Sequence, residues 1–242
     1  KDSTYVDDVF STYLWWGNET ARTIPTGVDN TEGALAWVKS RNDTHQHHLV
    51  DTERGSNKVI YSDSFMAEST IANRITGFTN NGFNVGSAGQ VNGTNVYKYA
   101  GWNFRKQKGF FDIVKYDGNA TSSSSPARQI AHNLGSVPGC IMIKCTTANQ
   151  SWAVYHRGSG NTKYLGLNGT SAATTSSAYW GDTDPTSTHF TVKHDGQVNE
   201  TGHEYVAYIF AGGESNAATA PSVDFDGSSS EYLSLANTSD LK

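Results

Sequence analysis

The sequence is built from two related halves, and this internal repeat limits the possible folds more than any other feature. Landmarks of the first half recur in the same order in the second half, at offsets of 103 to 107 residues. The matched residues are Tyr13 and Tyr116, Lys39 and Lys144, Arg54 and Arg157, Phe83 and Phe190, and Phe104 and Phe210. Aromatic-rich β sequences also resemble one another by chance, but a constant order with so little drift favours duplication of one structural unit.

Each half carries about six to eight short apolar stretches, separated by clusters of Gly, Asn, Ser or Thr. This spacing is typical of antiparallel sandwiches and barrels. The chain contains 24 glycines and 12% aromatic residues, a composition that suits tight turns and pleated strands. We therefore expect an all-β protein with two tandem, related, antiparallel β-sandwich-like domains and a short C-terminal β tail.

The repeat also sets the expected domain boundaries. The first domain is predicted at residues 1–108 and the second at residues 109–213, with a linker and β-hairpin tail at 214–242. Two strands cannot form a core of their own, so the tail would pack on the second domain, pair with a neighbouring chain or begin a further domain. The chain begins at Lys1, without a Met or the charged-then-apolar pattern of a signal peptide, so we expect a trimmed N-terminus or a fragment of a longer protein.

The charge, the length of apolar runs and the cysteine content argue against nucleic-acid binding, membrane insertion and a structural zinc site. The 18 Lys and Arg residues against 23 Asp and Glu residues give a formal charge of −5, which offers no basic surface for nucleic acid. A membrane span would need a run of about 18 apolar residues, and none occurs, so no membrane insertion is expected. Cys140 and Cys145 would lie on opposite faces of a strand, which disfavours a disulfide, and two thiols are too few for a structural zinc site. No cofactor is expected.

Several local sequences carry a resemblance to a known family. The most specific are HNLGSVPG at residues 132–139 and WAVYHR at residues 152–157, supported by IPTGVD at residues 24–29 and DTERG at residues 51–55. Through them, residues 10–211 resemble a domain of unknown function found in virion proteins of marine tailed phages. The resemblance implies a virion component.

The C-terminal residues carry a second, shorter resemblance. Val223 and Phe225 alternate with polar residues before an Asp-Gly turn, which predicts a hairpin. Residues 223–235 resemble the opening hairpin of a laminin-G or concanavalin-like jelly roll. Such a module behind the phage domain implies a tail fibre or another adhesive appendage.

We therefore expect a non-enzymatic phage virion protein with a structural and adhesive role in a tail fibre or similar appendage on the extracellular surface of the virion. Its expected partners are other virion proteins, further copies of the chain in a homo-oligomer such as a trimer, and a host surface glycan. One alternative is a capsid decoration protein. Another is a secreted carbohydrate-binding protein or glycosidase.

Two pairs of adjacent aromatic residues are the candidate contacts with a glycan or a protein partner. They are Trp15 with Trp16, and Tyr179 with Trp180. In a strand, one member of each pair would face the core and the other would face outward, where it could stack on a sugar ring or enter a subunit contact. The alternative is packing of an edge strand within the domain.

Two arginines before glycines are predicted to have a structural role. Arg54 and Arg157 are expected to hold a loop in place by pairing with a nearby carboxylate or with backbone carbonyls. The alternative for both residues is binding of an anion.

The remaining candidates are possible metal ligands and catalytic carboxylates. His45, His47, His48 and Asp51 contain the residue types that zinc favours, but an exposed loop explains them equally, and no metal site is predicted. Glycosidases use two carboxylates, and Asp182 with Asp184 or Asp224 with Asp226 would supply such a pair. Both pairs lie in turn sequences where Asp is common, so no catalytic residue is expected. The resemblance to a jelly roll allows a role in calcium binding for the second pair.

Overall fold

The computed structural model describes residues 4–212, and within this range the chain is almost entirely antiparallel β structure, as the sequence predicts. The elements of the first half are α1 (Val6–Val9), β1 (Phe10–Trp16), β2 (Arg22–Ile24), β3 (Ala34–Ser40), β4 (His48–Asp51), β5 (Lys58–Val59), β6 (Ser69–Thr70), β7 (Ile75–Thr79), β8 (Gly82–Val85), α2 (Gly89–Asn92) and β9 (Lys98–Arg105). No helix in the described range is long and apolar enough to cross a membrane.

The second half repeats this order with small changes. Its elements are β10 (Phe111–Asp117), β11 (Arg128–Ala131), β12 (Pro138–Cys145), β13 (Ala153–His156), β14 (Lys163–Tyr164), β15 (Thr174–Thr175), α3 (Ser177–Trp180), β16 (His189–Val192) and β17 (Glu204–Ala211). The predicted tail at 214–242 lies outside the described residues.

Each half contains a large four-stranded sheet, a small sheet and a two-stranded ribbon, which is β5-β6 in the first half and β14-β15 in the second. The first large sheet has the order β1-β9-β3-β4 and the second has the order β10-β17-β12-β13, so the same positions along each half occupy the same places. The small sheets are β2-β8-β7 in the first half and β11-β16 in the second. This shared topology is what a duplicated unit produces.

Side-chain packing gives the alignment of the two halves residue by residue. Trp15 stacks on Tyr99, with ring centroids 5.6 Å apart, and Tyr116 stacks on Tyr205 at 5.3 Å. The indole of Trp15 donates to a backbone carbonyl 3.0 Å away, and the hydroxyl of Tyr116 donates to the matching carbonyl at 2.7 Å. Tyr116 is therefore matched by Trp15. The match with Tyr13 was wrong, because β1 and β10 are related by an offset of 101 residues.

The main chain approaches itself closely at matching glycines of the two halves. A Cβ atom on Gly17 would overlap the carbonyl oxygen of Gly93, and one on Gly118 would overlap the carbonyl oxygen of Glu200. Both positions therefore need glycine for lack of space.

The apolar core forms three layers between four sheets. Period-two alternation sends Ile141 and Ile143 of β12 toward the small sheet of their own half, while Met142 faces the other large sheet. The cluster between the two large sheets, called here the central layer, joins Leu35 and Leu49 of the first half with residues of the second. Both faces of each large sheet are thus buried over much of their length.

Polar contacts also join the halves across the central layer. The indole of Trp152 donates to the carbonyl of Tyr61 at 2.8 Å. The buried ammonium of Lys144 donates to the carbonyls of Cys145 and Gln150 within the second half and to the carbonyl of Phe65 in the first. The predicted boundary at 108/109 falls between β9 and β10, and the division into two domains stays a prediction.

The two cysteines lie on opposite sides of β12, as their spacing predicts. Cys140 packs against the central layer, and Cys145 belongs to the cluster that faces the small sheet. Both are free thiols.

We expect Gly118→Ala to lower the free energy of unfolding by about 1–3 kcal/mol, because the added methyl group must displace the backbone at Glu200. Gly169→Ala is the matched control, since no atom of the described residues lies within 4 Å of the Cβ it would add. Urea unfolding curves of the two variants make the comparison. Equal stability of both variants would contradict the close approach seen at Gly118.

Candidate functional site

Trp15 and Trp16 point to opposite faces of the first large sheet because they are neighbours in β1. Trp15 is 6% exposed and lies in the core of the first half, whereas Trp16 is 58% exposed. Leu14 lies two residues before Trp16, shares its face, and is 57% exposed. An indole and an isobutyl side chain therefore face solvent side by side.

Two basic residues border these exposed side chains. Lys98 pairs with Trp16 across the β1–β9 ladder, and its Nζ lies 4.6 Å from the centroid of the indole ring. The backbone N–H of Arg41 donates to the carbonyl of Lys98 at 2.7 Å, which places Arg41 next along the sheet. Leu14, Trp16, Arg41 and Lys98 are called here the Trp16 surface. They line a shallow cavity of about 230 Å³.

The position of the Trp16 surface follows from how far the central layer extends. At the other end of the same face, Phe10 packs on Phe104 with centroids 4.8 Å apart, and Phe104 contacts Phe111 and Phe210 of the second half. The second half therefore covers the beginning of β1. It leaves the end of the strand exposed.

The matching place in the second half has a different chemistry. The β10–β17 register puts Asp117 opposite Glu204, where the first half has Trp16 opposite Lys98. Lys115 occupies the place of Leu14, and its Nζ lies 3.9 Å from a carboxylate oxygen of Glu204. Thus one half carries an aromatic and basic surface where the other carries an ordinary exposed ion pair.

The expectation that one of Tyr179 and Trp180 faces outward is wrong. The two residues lie on the short helix α3, and they are 4% and 2% exposed. The hydroxyl of Ser176 accepts from the N–H of Ala178, which starts a helical turn instead of a strand. Tyr179 stacks on Tyr164 at 3.7 Å, and the Trp180 indole donates to the carbonyl of Lys163 at 2.9 Å. Neither ring is available to a glycan or a partner in this conformation.

Arg54 is buried and pairs with groups from both halves. Its Nε donates to a carboxylate oxygen of Asp51 at 2.5 Å, and its Nη1 lies 3.1 Å from Glu68. Its guanidinium also donates to the carbonyls of Leu49 and Lys58, at 3.1 and 3.0 Å. These contacts join the guanidinium to β4 and to the segment that follows it.

Tyr208 of the second half completes this network. Its hydroxyl lies 3.1 Å from Nη2 of Arg54 and donates to the Asp51 carboxylate at 2.7 Å. Burial raises the pKa of Tyr208 well above its ordinary value, so the phenol stays neutral and can donate. Burial by itself would lower the pKa of Arg54, but Asp51 together with Tyr208 and Glu68 raises it above the usual range. The guanidinium is therefore a permanently charged, paired group.

Arg157 does not occupy the place of Arg54 in the repeat. The N–H of Gly55 donates to the carbonyl of Asp51, and the N–H of Gly160 donates to that of His156, so Ser159 is the counterpart of Arg54. The Arg157 side chain is exposed, and its backbone N–H donates to the carbonyl of Gly139 at 2.9 Å. The offset of 103 residues misaligned the two arginines because β4 and β13 are related by 105 residues. Their role in holding loops stays a prediction.

The histidines of the first half do not form a metal centre. The Nδ1 of His47 accepts from the indole of Trp37 at 2.9 Å, His48 is buried on the next strand, and Asp51 pairs with Arg54. Over residues 4–212, no three His, Cys, Asp or Glu side chains are grouped so that they could hold a metal ion.

The candidate carboxylate pairs lie apart from these sites. Asp182 and Asp184 are both exposed in the turn after α3, and Asp182 has a φ of 52°. Asp224 and Asp226 lie outside the described residues.

Fold and site together define an all-β protein with two similarly built halves, one of which presents an aromatic, basic surface. The chain belongs to the family described as Domain of unknown function (DUF7483), whose profile matches residues 5–220. Comparison with curated proteins and with solved structures gives no match.

Sequence reasoning located Trp16 but missed the residues around it. Leu14 could have been found, because it precedes Trp16 by two positions and must share its face in a strand. Lys98 and Arg41 lie near Trp16 because β9 pairs with β1 and β3. The register of that pairing cannot be predicted from the local sequence.

We expect Arg54→Gln to lower the free energy of unfolding by about 3–5 kcal/mol, because it leaves the buried Asp51 carboxylate without its cation. Lys115→Gln removes an exposed ion pair and should cost less than about 1 kcal/mol. Both values come from urea unfolding followed by circular dichroism. A loss below 1 kcal/mol for Arg54→Gln would contradict this expectation.

Proposed function

We propose that this protein is a non-enzymatic structural and adhesion protein of a phage virion, within a tail fibre or similar appendage on the extracellular surface of the particle. The virion assignment is supported by the resemblance of residues 10–211 to a domain of marine tailed-phage virion proteins. The resemblance of residues 223–235 to the start of a jelly roll supports an adhesive appendage. In this role the chain contacts other virion proteins and forms a homo-oligomer.

The Trp16 surface is the observation that carries the adhesive part of the proposal. A tryptophan ring offers an apolar face on which the C–H groups of a sugar ring can stack. The Nζ of Lys98 lies over that ring and Arg41 lines the same cavity, and both cations can pair with a carboxylate or sulfate group. Together they fit an acidic glycan of the host surface.

The size of the surface favours a glycan over a protein partner. A stable protein interface buries roughly 800 Å² on each side. The Trp16 surface offers two large exposed apolar side chains beside a cavity of about 230 Å³, the scale of one or two sugar units. Assembly with other virion proteins would therefore use a different part of the molecule.

We expect Trp16→Ala to weaken binding of alginate, a polyuronate, by roughly tenfold, because the stacking face is lost. Lys98→Gln should weaken it by a similar factor and should also reduce its sensitivity to salt. The measurement is isothermal titration of the full chain with alginate, and with neutral dextran for comparison. Phe65→Ala is the matched control, since Phe65 is exposed elsewhere. Unchanged alginate affinity in Trp16→Ala would contradict the proposed glycan site.

Electron microscopy with an antibody against this chain tests the position on the particle. Labelling confined to tail appendages is the expected result. Labelling over the capsid would replace the tail-fibre assignment with a capsid decoration role, and an unlabelled particle would contradict the virion assignment.

A further inference from the structure

A cavity of about 300 Å³ opens on the face of the first large sheet opposite to the Trp16 surface. Strand β4 contributes His48, the segment before β7 contributes Arg74, and α2 contributes Gln90. Tyr61 forms part of the wall, and its ring lies edge-on to His48 with centroids 5.2 Å apart. The cavity is therefore lined by hydrogen-bonding side chains from four segments of the first half.

Arg74 brings an unpaired positive charge to this cavity. Its Nε and Nη1 atoms are buried, and neither has a hydrogen-bond partner among residues 4–212. No carboxylate of the described chain forms an ion pair with it. Desolvation lowers the pKa of Arg74 below its ordinary value, which is the effect of burying a charge without a counter-charge. Nη1 lies cis to Cδ and the Nε–H points to the other side of the guanidinium, so the two atoms are separate donors. Each can donate a charge-assisted hydrogen bond to an anionic ligand.

His48 brings a hydrogen-bond acceptor to the same cavity. The residue is 2% exposed, and its Nδ1 lies 2.9 Å from the carbonyl oxygen of Gln46, so Nδ1 carries the proton. Burial lowers the pKa of His48 to about 4, so the ring is neutral near pH 7. Its Nε2 is then an acceptor, and within the described range it has no donor. A ligand hydroxyl group is the complementary partner.

The second half has different residues at the place that corresponds to this cavity. The N–H of Gly86 donates to the carbonyl of Arg74 at 2.8 Å, and the N–H of Lys193 donates to that of Tyr179 at 2.9 Å. Because Gly86 and Lys193 each follow the last residue of matched strands β8 and β16, Tyr179 is the counterpart of Arg74. The strand register likewise makes Ala153 the counterpart of His48.

In the second half this place is filled and its polar groups are paired. Tyr179 stacks on Tyr164, and its hydroxyl accepts from Nε2 of Gln197 at 2.6 Å. Gln197 is the counterpart of Gln90, since each precedes the matched valine whose carbonyl accepts the Trp15 or Tyr116 hydrogen bond. The same scaffold can therefore close this site with aromatic residues. The first half has an arginine and a histidine there instead, with buried atoms unpaired.

We propose that this cavity binds a carboxylate carrying a neighbouring hydroxyl group, in the form of a uronic acid unit or a free hydroxy acid. The carboxylate accepts a charge-assisted hydrogen bond from the Arg74 guanidinium, and the hydroxyl donates to Nε2 of His48. The site is separate from the Trp16 surface and does not depend on it, because the two lie on opposite faces of the sheet.

Titration of the full chain with four small probes tests the proposal. D-Glucuronate and L-lactate carry both groups, acetate lacks the hydroxyl, and D-glucose lacks the carboxylate. We expect at least one of the first two to bind more tightly than acetate and glucose, with shifts of the His48 ring signals in the NMR spectrum. Preference for glucuronate identifies a sugar ligand, and preference for lactate identifies a free hydroxy acid. Binding of both no tighter than acetate or glucose would overturn the proposal.

Variants at the cavity and away from it test where the probes bind. Arg74→Gln should weaken the preferred probe by roughly tenfold to hundredfold, the effect of losing a charge-assisted pair. His48→Ala, which introduces the residue that the second half has, should abolish the preference for lactate over acetate while retaining carboxylate binding. Lys115→Gln and Phe65→Ala, which lie outside both candidate sites, should leave the affinity unchanged. Full affinity in a folded Arg74→Gln variant, or an equal loss in Phe65→Ala, would overturn the assignment to this cavity.

Discussion

The contact between the two large sheets is the constraint on which the rest of the structure depends. Each large sheet already covers a small sheet of its own half, so a second apolar face is needed only because the halves pack together. The central layer supplies that contact with Trp152 and Tyr208, and the paired charge of Arg54 is buried against Tyr208. Burial of apolar area provides the stabilisation, and the polar pairs satisfy the hydrogen-bonding groups buried between the sheets.

The shared architecture of the two halves explains how one scaffold carries sites in one half alone. The two halves share their strand order, aromatic stacking and close main-chain approaches. Residues that differ between matched positions can therefore be identified one by one. Asp117 replaces Trp16 at one place, and Tyr179 replaces Arg74 at another. At both places the side chains of the second half contact other residues of the same half, through an ion pair at the first place and a packed ring at the second. The first half has groups whose partners the described chain does not provide.

The spacing of short apolar stretches predicted the all-β fold class. Period-two alternation, which follows from the geometry of a strand, predicted the opposite directions of Trp15 and Trp16. It failed for Tyr179 and Trp180, where the capping hydroxyl of Ser176 starts one helical turn between strands. The alignment of the repeat was right in order and wrong by two residues at Tyr13 and at Arg157, since loop lengths differ between the halves. The cavity at Arg74 and His48 was beyond sequence reasoning, because it forms only when segments far apart in the chain pack together.

Unfolding followed at single tryptophans tests the dependence on the central layer most directly. With 5-fluorotryptophan incorporated, ¹⁹F NMR resolves Trp15 in the first half, Trp180 in the second and Trp152 in the central layer during one urea titration. If the layer joins the halves into one cooperative unit, the three native signals disappear with the same midpoint. A Trp15 signal that persists after those of Trp152 and Trp180 are lost, or disappears before them, would contradict the account.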